Sequence, residues 1–415
     1  MDRQLLAAGY ALAVALAGCI RYDEAPEKRD ADEVEREPTR RKRSAEDDDS
    51  KELRTLGYVD GTIDPDFERT GVVLHRRDAV FPGYNFYTSR NQYRAQLLDM
   101  DGKVLHVWEK GGMGSWQHAT LLPNGEIIVI VKDKRLLRLD KDSNVLWTLD
   151  TRVHHDLWLD ETGEIYVLSA RRIEAPYHDT LPTVEDSVLV VSPQGAIRSR
   201  ISLLAAVEKS PYAFLLARGD ALPARKLVRP NPRPDEEFDI LHTNHVEVMD
   251  GRFASRGRLF AKGNLLVSPR NLQAILVIDP KTLEIVWIWG PNNMIFPHHP
   301  TVTDDGHIMA FNNGLPSTGS QVVEVDPITN EIVWTYGPVD GFFSVERGSN
   351  QRLPNGNTLI TESDTGYVFE VTREGEVVWT FLNPHVKEES KLRMAIWRMT
   401  RHAPESLQFA FNRSP

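Results

Sequence analysis

The sequence contains very little cysteine: Cys19 is the only one among 415 residues, so no disulfide can form within the chain. After the N-terminal segment, no apolar run approaches the roughly 18 residues that a membrane-spanning helix needs. Positive charge is also in the minority, because 49 Lys and Arg stand against 60 Asp and Glu, for a net charge of -11. These features argue against a nucleic-acid partner and predict a large acidic domain that is stabilised by packing.

The N-terminal residues predict export. Residues 1–18 carry one arginine before the apolar run Leu5 to Leu16, which is typical of a secretory signal peptide. The sequence Leu-Ala-Gly-Cys that ends at Cys19 resembles the bacterial lipobox, in which the cysteine is acylated. The alternative is an ordinary signal peptide with a spare cysteine. We expect lipidation at Cys19 and a protein anchored to the bacterial cell envelope by lipid alone, and Ile20 is compatible with the outer membrane.

A charged segment separates this signal from the rest of the chain. Residues 19–58 consist largely of Asp, Glu, Lys, Arg and Pro, with few large apolar side chains that could be buried. Such a composition predicts a disordered tether. Its basic run Arg40 to Arg43 could contact anionic lipid, but a charge-mixed spacer is the simpler interpretation. We expect one folded domain over residues 59–415.

A repeated hairpin pattern covers that domain. Each copy has an apolar strand, a polar turn, a second strand and usually a tryptophan. The clear copies end at Trp108, Trp147, Trp287, Trp334 and Trp379, and a degenerate copy begins at Val188. The last three tryptophans are about 45 residues apart, which is the period of a four-stranded propeller blade.

The number of copies predicts the number of blades. Six outer hairpins and five inner ones can be recognised. We expect the sixth inner hairpin to use the C-terminal stretch Leu392 to Ala410, paired with the segment near Gln96, because joining both termini in one blade removes open sheet edges. The sequence therefore predicts an all-β fold, a six-bladed β-propeller. A seven-bladed ring is the main rival, and an open β-sandwich is the other alternative.

Histidines recur at one position of the repeat. His118, His155, His245 and His299 each open a short apolar run that ends in a turn, and Ser349 holds the same position in a fifth copy. Equivalent positions of a closed ring converge on its axis. We therefore expect these side chains to share one pocket, although they span about 180 residues of sequence.

Arg270 and a long connection complete the predicted pocket. Arg270 ends a second strand, and in an antiparallel pair the end of the second strand lies beside the start of the first. We expect this arginine and the histidines to share one end of the channel. The connection Leu203 to Ile240 opens on that end and is long enough for a helical lid, with packing filler as the alternative.

Several histidines beside an arginine suit two chemistries. In the first, a neutral imidazole attacks an anionic group while arginine neutralises the developing oxyanion. In the second, the imidazoles bind a transition metal. A guanidinium repels a divalent cation but matches tetrahedral oxyanions such as sulfate or phosphate, so Arg270 favours group transfer without a metal or another cofactor.

At these residues the sequence resembles the bacterial arylsulfate sulfotransferases, over roughly residues 65–400. The motifs that carry the resemblance are Phe81-Pro-Gly-Tyr-Asn-Phe-Tyr, His154-His155-Asp156, His242-Thr-Asn244, Ser268-Pro-Arg270 and His299 ahead of Phe311-Asn-Asn-Gly314. The resemblance implies a six-bladed propeller that moves a sulfuryl group from a phenolic sulfate to a phenol. It also implies that neither the nucleotide donor PAPS nor a metal is needed.

The resemblance implies roles for single residues. His299 would be the nucleophile that is transiently sulfated, whereas Arg270, His242 and His155 would bind the sulfuryl oxygens and handle the phenol proton. The His-x-Asn motif selects His242, although register alone favours His245. The substrate-binding candidates are His118, His245, His298, Asn244 and Asn313. The doublets 154–155 and 298–299 leave a choice of one position in each.

The sequence thus predicts a lipid-anchored, periplasmic aryl sulfotransferase that acts on small phenolic sulfates and phenols through a sulfohistidine. Two alternatives stay open. One is a lipid-anchored propeller that only binds a ligand or protein partner, and the other is a metal-dependent lyase or oxygenase. A binding module needs no nucleophile, and a lyase or oxygenase needs a metal.

Overall fold

The computed structural model describes residues 60–174, 177–178, 181–217 and 237–409, which belong to one compact unit. Within these residues the strands form six sheets of four or five strands, nearly all antiparallel, and one small sheet of three. No helix in this part of the chain has the length and apolar character needed to cross a membrane. The predicted signal peptide, Cys19 and the tether lie outside the described residues.

The six larger sheets are numbered I to VI, with the innermost strand of each given first. Sheet I contains His118–Leu121, Ile127–Val131, Arg135–Leu139 and Val145–Asp150. Sheet II contains Val153–Leu159, Ile165–Ile173, Thr183–Val191 and Ile197–Ser202, with Phe238–Asp239 parallel to its third strand. Sheet III contains Thr243–Val248, Leu265–Pro269, Ile275–Asp279 and Glu284–Trp289.

The other sheets follow the same plan. Sheet IV contains Pro297–Val302, Ile308–Asn312, Gln321–Asp326 and Glu331–Tyr336. Sheet V contains Ser349–Arg352, Thr358–Glu362, Tyr367–Val371, Val377–Leu382 and, at its outer edge, Gly71–His75. Sheet VI contains Ile396–His402, Tyr84–Ser89, Arg94–Leu98 and Val104–Glu109. The small sheet contains Gly61–Ile63, Val386–Lys387 and Leu392–Met394.

The sheets contact one another in a cycle. The innermost strand of each sheet contacts that of the next sheet along the chain, and sheet VI contacts sheet I. Apolar side chains from facing sheets fill the space between neighbours. This is a propeller-like arrangement, so the predicted all-β class is confirmed.

Sheet VI joins the two ends of the described chain. The C-terminal strand Ile396–His402 is innermost and pairs with Tyr84–Ser89, so that Thr400 lies opposite Phe86. The predicted partner near Gln96 was wrong, because Gln96 lies in the outer hairpin opposite Val107. The C-terminus therefore supplies one inner strand rather than a complete hairpin.

The repeated tryptophans explain how neighbouring sheets are held. Each lies in a fourth strand, and its indole Nε1 donates a hydrogen bond to a turn of the next sheet. The bonds run from Trp108 to the Gly125 carbonyl, from Trp147 to the Pro193 carbonyl, from Trp287 to the Asn330 side chain, from Trp334 to the Arg373 carbonyl and from Trp379 to the Met100 carbonyl, all at 2.8–2.9 Å. Sheet II has no such tryptophan in its fourth strand, Ile197–Ser202.

A helix occupies the junction between sheets II and III instead. The helix Leu203–Lys209 begins after the N-cap Ser202, whose hydroxyl accepts the Ala205 amide hydrogen, and it contacts strands of both sheets. Its four buried residues share one apolar cluster with Val188 and Leu276. A short second helix, Phe214–Ala217, follows, and residues 218–236 lie outside the described part. The start of the predicted lid is thus packed core between two sheets, which agrees with the alternative of packing filler for this part of the connection.

Short 3-10 helices complete the described elements. They are Ala254–Arg256, Arg258–Phe260, Arg270–Leu272, Ser363–Thr365, Glu388–Ser390 and Pro404–Ser406. The third of these begins at the candidate arginine, directly after the second strand of sheet III. Arg270 therefore lies at the end of the sheet where the first strand begins, as its position in the sequence predicts.

Candidate functional site

Four innermost strands are interrupted at the same point by an irregularity in strand pairing. The register shifts between Val153 and Leu157 in sheet II, and similar shifts occur in sheets III, IV and VI. The third residue of each interrupted strand is His155, His245, His299 or Arg398. A β-bulge leaves an extra residue unpaired and redirects its side chain. These bulges explain how polar side chains leave the pleated surface at the centre of the ring.

The bulge of sheet II changes which residue holds the repeated position. Three residues of its first strand lie opposite Leu168, whereas two lie opposite one residue in the other bulges. Counted three residues back from the end of the first strand, the repeated position of sheets I to V holds His118, Asp156, His245, His299 and Ser349, and that of sheet VI holds Met399. Counted from the start of the strand, His155 keeps the position of His245 and His299, and the extra residue of the bulge places Asp156 at that position when counting from the end.

Asp156 is the centre of one buried cluster. Its carboxylate accepts two hydrogen bonds from Arg398, one at each oxygen and both at 3.0 Å. Nδ1 of His245 lies 2.5 Å from the same carboxylate, and Nε2 of His118 lies 3.5 Å away. The ring of His299 stacks edge-on against His245, with centroids 4.8 Å apart. We call these five residues the Asp156 centre.

Burial sets the charges in the Asp156 centre. Burial alone would raise the pKa of Asp156, but Arg398 and then His245 hold it well below its usual value. Burial lowers the pKa of His118 to about 3 and that of His299 well below the usual value, and Arg398 adds to both shifts. The centre therefore combines a fixed carboxylate–guanidinium pair with neutral imidazoles at neutral pH.

The Asp156 centre also contains a set of possible metal ligands. One atom each from Asp156, His245 and His299 lie within 4.8 Å of one another, as do atoms of a second set, Asp305, His307 and Glu324. Carboxylate and imidazole groups are common ligands of transition metals. However, Arg398 is bound to both oxygens of Asp156, and its positive charge opposes a cation there.

A second group lies at the strand-start end, next to Arg270. The rings of His155 and His242 are 4.9 Å apart, and Nδ1 of His155 lies 2.8 Å from Nδ1 of His154. Asp239 accepts hydrogen bonds from the backbone N–H of His242 at 2.8 Å and from its Nδ1 at 2.5 Å. The left-handed backbone at His155 and His242, with φ of 55° and 48°, is uncommon outside glycine and is concentrated at functional sites.

His298 also belongs to this second group. We call His155, His242, Arg270 and His298 the Arg270 group. Burial holds the pKa of His298 well below its usual value, and the charge of Arg270 lowers it further. The guanidinium carbon of Arg270 lies 4.3 Å from the ring centroid of Phe296, whose carbonyl is 3.0 Å from Nδ1 of His298. The side chains of the neighbouring residues His298 and His299 therefore lie in different groups. His298 lies in the Arg270 group, and His299 lies in the Asp156 centre.

Hydrogen bonds fix the tautomer of His298. The side-chain amide of Asn313 donates to the carbonyls of Ser344 and Arg347 at 2.7 and 3.0 Å, so its oxygen is left as an acceptor. That oxygen lies 2.7 Å from Nδ1 of His298, which must therefore carry the proton. Nε2 of the neutral His298 ring then has the lone pair. In His299, by contrast, Nδ1 accepts the Asn350 amide hydrogen at 3.4 Å, which places the ring proton on Nε2.

Two predicted substrate-binding residues hold backbone carbonyls. Asn313 is fully buried, and the described hydrogen bonds of its side chain go to His298 and to two carbonyls. Asn244 donates to the Pro297 carbonyl at 2.9 Å, as does the Ser268 hydroxyl at 2.9 Å. Sheet III thus holds the chain immediately before His298.

Sequence reasoning missed three acidic or basic members of the site. Asp156 was visible in the His-His-Asp motif, but its role depends on the bulge that turns it inward. Asp239 lies three residues before His242, a spacing that could have indicated a paired carboxylate. Arg398 had no local signal, because only ring closure brings the C-terminal strand to the axis.

Comparisons with known proteins concern the family and the fold of the chain. The family model described as arylsulfotransferase (ASST) matches residues 118–384. No curated protein matches the chain. A protein of unknown function from Bacteroides caccae is 13% identical with a TM-score of 0.51, and the match covers 77% of this chain and 98% of that one. This likeness concerns the fold alone.

Two further solved structures are similar at a lower level. The WD40 β-propeller domain of Doa1 is 13% identical with a TM-score of 0.45, covering 82% of this chain and 99% of that domain. A catalytically inactive virginiamycin B lyase from Staphylococcus aureus, solved with quinupristin, is 10% identical with a TM-score of 0.43, covering 76% and 88%.

Proposed function

Because the chain belongs to the arylsulfotransferase family, we propose that it is an arylsulfate sulfotransferase that works through a sulfohistidine. The observation that carries the proposal is the neutral His298 ring beside Arg270, with its proton fixed on Nδ1. A nucleophilic imidazole needs a free lone pair, and a transferred sulfuryl group needs a cation beside its oxygens. We infer that His298 is the nucleophile, rather than the neighbouring His299 that sequence resemblance selected.

The first half-reaction loads the sulfuryl group. Nε2 of His298 attacks the sulfur of the donor, so the N–S bond forms as the bond from sulfur to the aryl oxygen breaks. Arg270 pairs with the sulfuryl oxygens through its planar guanidinium. The aryl oxygen leaves as a phenolate, and Asn313 and the Phe296 carbonyl bind the N–H of the imidazolium that has formed.

The second half-reaction returns the group to a phenol. His242 takes the phenol proton at Nε2, because its Nδ1 is bound to Asp239. The phenol oxygen then forms a bond with sulfur as the N–S bond breaks, and the lone pair returns to His298. His242 afterwards passes its proton to solvent. His155, whose ring lies edge-on against that of His242, binds the sulfuryl oxygens in this scheme.

We also propose the architecture and location that the sequence predicts. The six sheets correspond to six blades of a closed propeller, since each contacts two neighbours. Export and lipidation at Cys19 would tether this domain to the cell envelope, where phenols and their sulfate esters arrive from outside. The physiological donor and acceptor are proposed only as small phenolic compounds.

The decisive experiment traps the intermediate. The purified protein is mixed with 35S-labelled 4-nitrophenyl sulfate without an acceptor, quenched rapidly and digested. We expect one label on the peptide that spans residues 296–304, in an acid-labile and base-stable linkage, and release of that label on addition of phenol. Because both histidines of the doublet lie in that peptide, His298→Asn and His299→Asn are compared, and only the first is expected to abolish labelling.

Other outcomes would contradict the proposal. Label on a peptide around His155 or His242 would mean that another histidine is the nucleophile. Labelling that survives in His298→Asn but not in His299→Asn would restore the assignment from sequence. Inactivation by a chelator, reversed by added metal, would replace group transfer with chemistry at the Asp156 centre. Release of 4-nitrophenol that needs no phenol would indicate a sulfatase.

A further inference from the structure

A second compartment lies on the other side of the Asp156 centre. It is a cavity of about 390 Å³ that His118, His299 and Arg398 border at one end. From there its walls follow the innermost strands to their last residues, including Leu121 and Val302. The Arg270 group lies where the strands begin, so the cavity and the proposed transfer site occupy opposite ends of the channel.

The walls of this cavity are mainly apolar and aromatic. Leu157, Phe253, Phe260, Val302 and Met399 line it, and they come from four different sheets or the loops between their strands. A volume of this size exceeds that of one aromatic ring, and cavities of a few hundred cubic ångströms commonly bind small ligands. The apolar lining favours an aromatic or aliphatic group over a strongly hydrated one.

Three carboxyl groups line the cavity, and only that of Glu247 is buried, because Asp250 and Asp304 are exposed. Glu247 lines the cavity and is 7% exposed, and its two oxygens lie 3.4 Å from the Val302 amide, which is a long hydrogen bond. The carboxyl oxygens of Glu247 have lone pairs to spare, so they can accept a hydrogen bond from a hydroxyl group in the cavity.

Three arginines line the cavity, and each is paired with protein groups. Arg252 is exposed and lies within 4 Å of Asp250 and Asp304. Both terminal nitrogens of Arg398 are bound to Asp156. The terminal nitrogens of Arg352 are bound to Glu324, to the Gly356 carbonyl and to the Thr358 hydroxyl. An anion in this cavity would have to displace one of these partners, so the site disfavours a sulfate ester.

We propose that this cavity is a binding site for a neutral phenol, whose ring packs against the apolar wall and whose hydroxyl hydrogen-bonds to Glu247. The combination of apolar walls, a buried carboxyl acceptor and paired cations selects a phenol over its sulfate. The site is distinct from the proposed transfer site and does not depend on the proposed reaction. The phenol bound in this cavity is not sulfated there, because neither His298 nor Arg270 borders the cavity.

Fluorine NMR can measure this binding directly. The purified full-length protein is titrated with 4-fluorophenol, which is neutral at pH 7, and separately with fluorobenzene, which lacks the hydroxyl. We expect a dissociation constant for 4-fluorophenol on the order of 1 mM or below, as for a ligand of so few atoms, and binding about 5-fold tighter than that of fluorobenzene. Glu247→Leu should remove this preference, because it retains the shape but not the hydroxyl partner.

A second pair of variants tests the location. Val302→Phe fills the cavity and should weaken both ligands at least 10-fold, whereas Val333→Phe, the same change at an exposed position of sheet IV, should not. If Val302→Phe and Glu247→Leu both leave the binding of the two ligands unchanged, the ring binds elsewhere in the channel and the proposal is wrong. If Val302→Phe fails to fold, an unchanged preference in Glu247→Leu still overturns it.

Discussion

The side-chain oxygen of Asn313 lies 2.7 Å from Nδ1 of His298, and this contact determines which nitrogen of the ring holds the lone pair. The two residues are fifteen positions apart, on the first and second strands of sheet IV or just beyond them. Asn313 can only accept here, because its amide hydrogens are used by two backbone carbonyls. The proposed nucleophile is thus oriented by hydrogen bonds within the protein.

Removing this acceptor should impair catalysis more than binding. Asn313→Leu is expected to lower kcat by about 10- to 100-fold, with little change in KM for 4-nitrophenyl sulfate, because the ring of His298 loses the partner that fixes its tautomer. Asn313→Asp keeps an acceptor and should retain more activity, although both variants lose stability by about 1–3 kcal/mol through unpaired carbonyls. Equal kcat values for the two variants would show that Asn313 is only structural.

The planar guanidinium of Arg270 should matter more than its charge. Arg270→Lys retains the positive charge but cannot pair with two sulfuryl oxygens at once. We therefore expect the activation free energy calculated from kcat/KM to rise by about 2–4 kcal/mol. Steady-state transfer from 4-nitrophenyl sulfate to phenol measures this. Arg258→Lys, which pairs with Glu284 at the surface, is the matched control and should change kcat/KM by less than about 2-fold. An active Arg270→Lys variant would remove this arginine from the mechanism.

The buried histidines should make the fold sensitive to acid. Burial lowers the pKa of His118 to about 3 and that of His402 to about 4. The unfolded chain binds these protons below about pH 6.5, whereas the folded chain does not. Stability should therefore fall with pH from about 6.5 down to 4, by ~1.4 kcal/mol per pH unit for each such histidine. Urea unfolding between pH 7 and 4.5 measures the free energy of unfolding as a function of pH. His402→Gln should reduce the slope of that dependence by the contribution of one histidine.

The helix Leu203–Lys209 should contribute to the stability of the whole ring. Leu204 is 2% exposed within the apolar cluster shared by sheets II and III, so Leu204→Ala is expected to cost about 2–4 kcal/mol of the free energy of unfolding. Lys209→Ala, at the exposed end of the same helix, should cost less than about 0.5 kcal/mol. Deletion of residues 203–234 should abolish the cooperative melt. A deletion variant that melts cooperatively would restore the interpretation of this segment as a lid.

Lipidation at Cys19 can be tested without reference to the fold. Cys19→Ser removes the thiol that acylation requires, so the variant should appear as uncleaved or soluble protein where the parent partitions into detergent. Fractionation of cells after a high-salt wash measures this. Retention of Cys19→Ser in the membrane fraction would show that something other than a lipid holds the protein there.

The hairpin repeat is the part of the fold that could be read from the sequence. Alternating apolar residues and tight turns are local features, so the outer hairpins and their tryptophans could be placed by inspection. The reason for the tryptophans could not, because each indole bonds to a turn of the next sheet, as Trp379 does to the Met100 carbonyl. The missing tryptophan of sheet II also gave no indication that the helix Leu203–Lys209 replaces it.

The candidate site, like the fold, has features that the sequence predicts and features that only the tertiary structure shows. The sequence by itself determined that histidines recur at the starts of inner strands and that Arg270 ends a second strand, because both follow from spacing along the chain. Only the tertiary structure decided that Asp156 takes the repeated position, that Arg398 reaches it from the C-terminal strand and that His298 rather than His299 joins Arg270. Bulges and ring closure produce these contacts, and both depend on pairing between residues far apart in sequence, which no local pattern records.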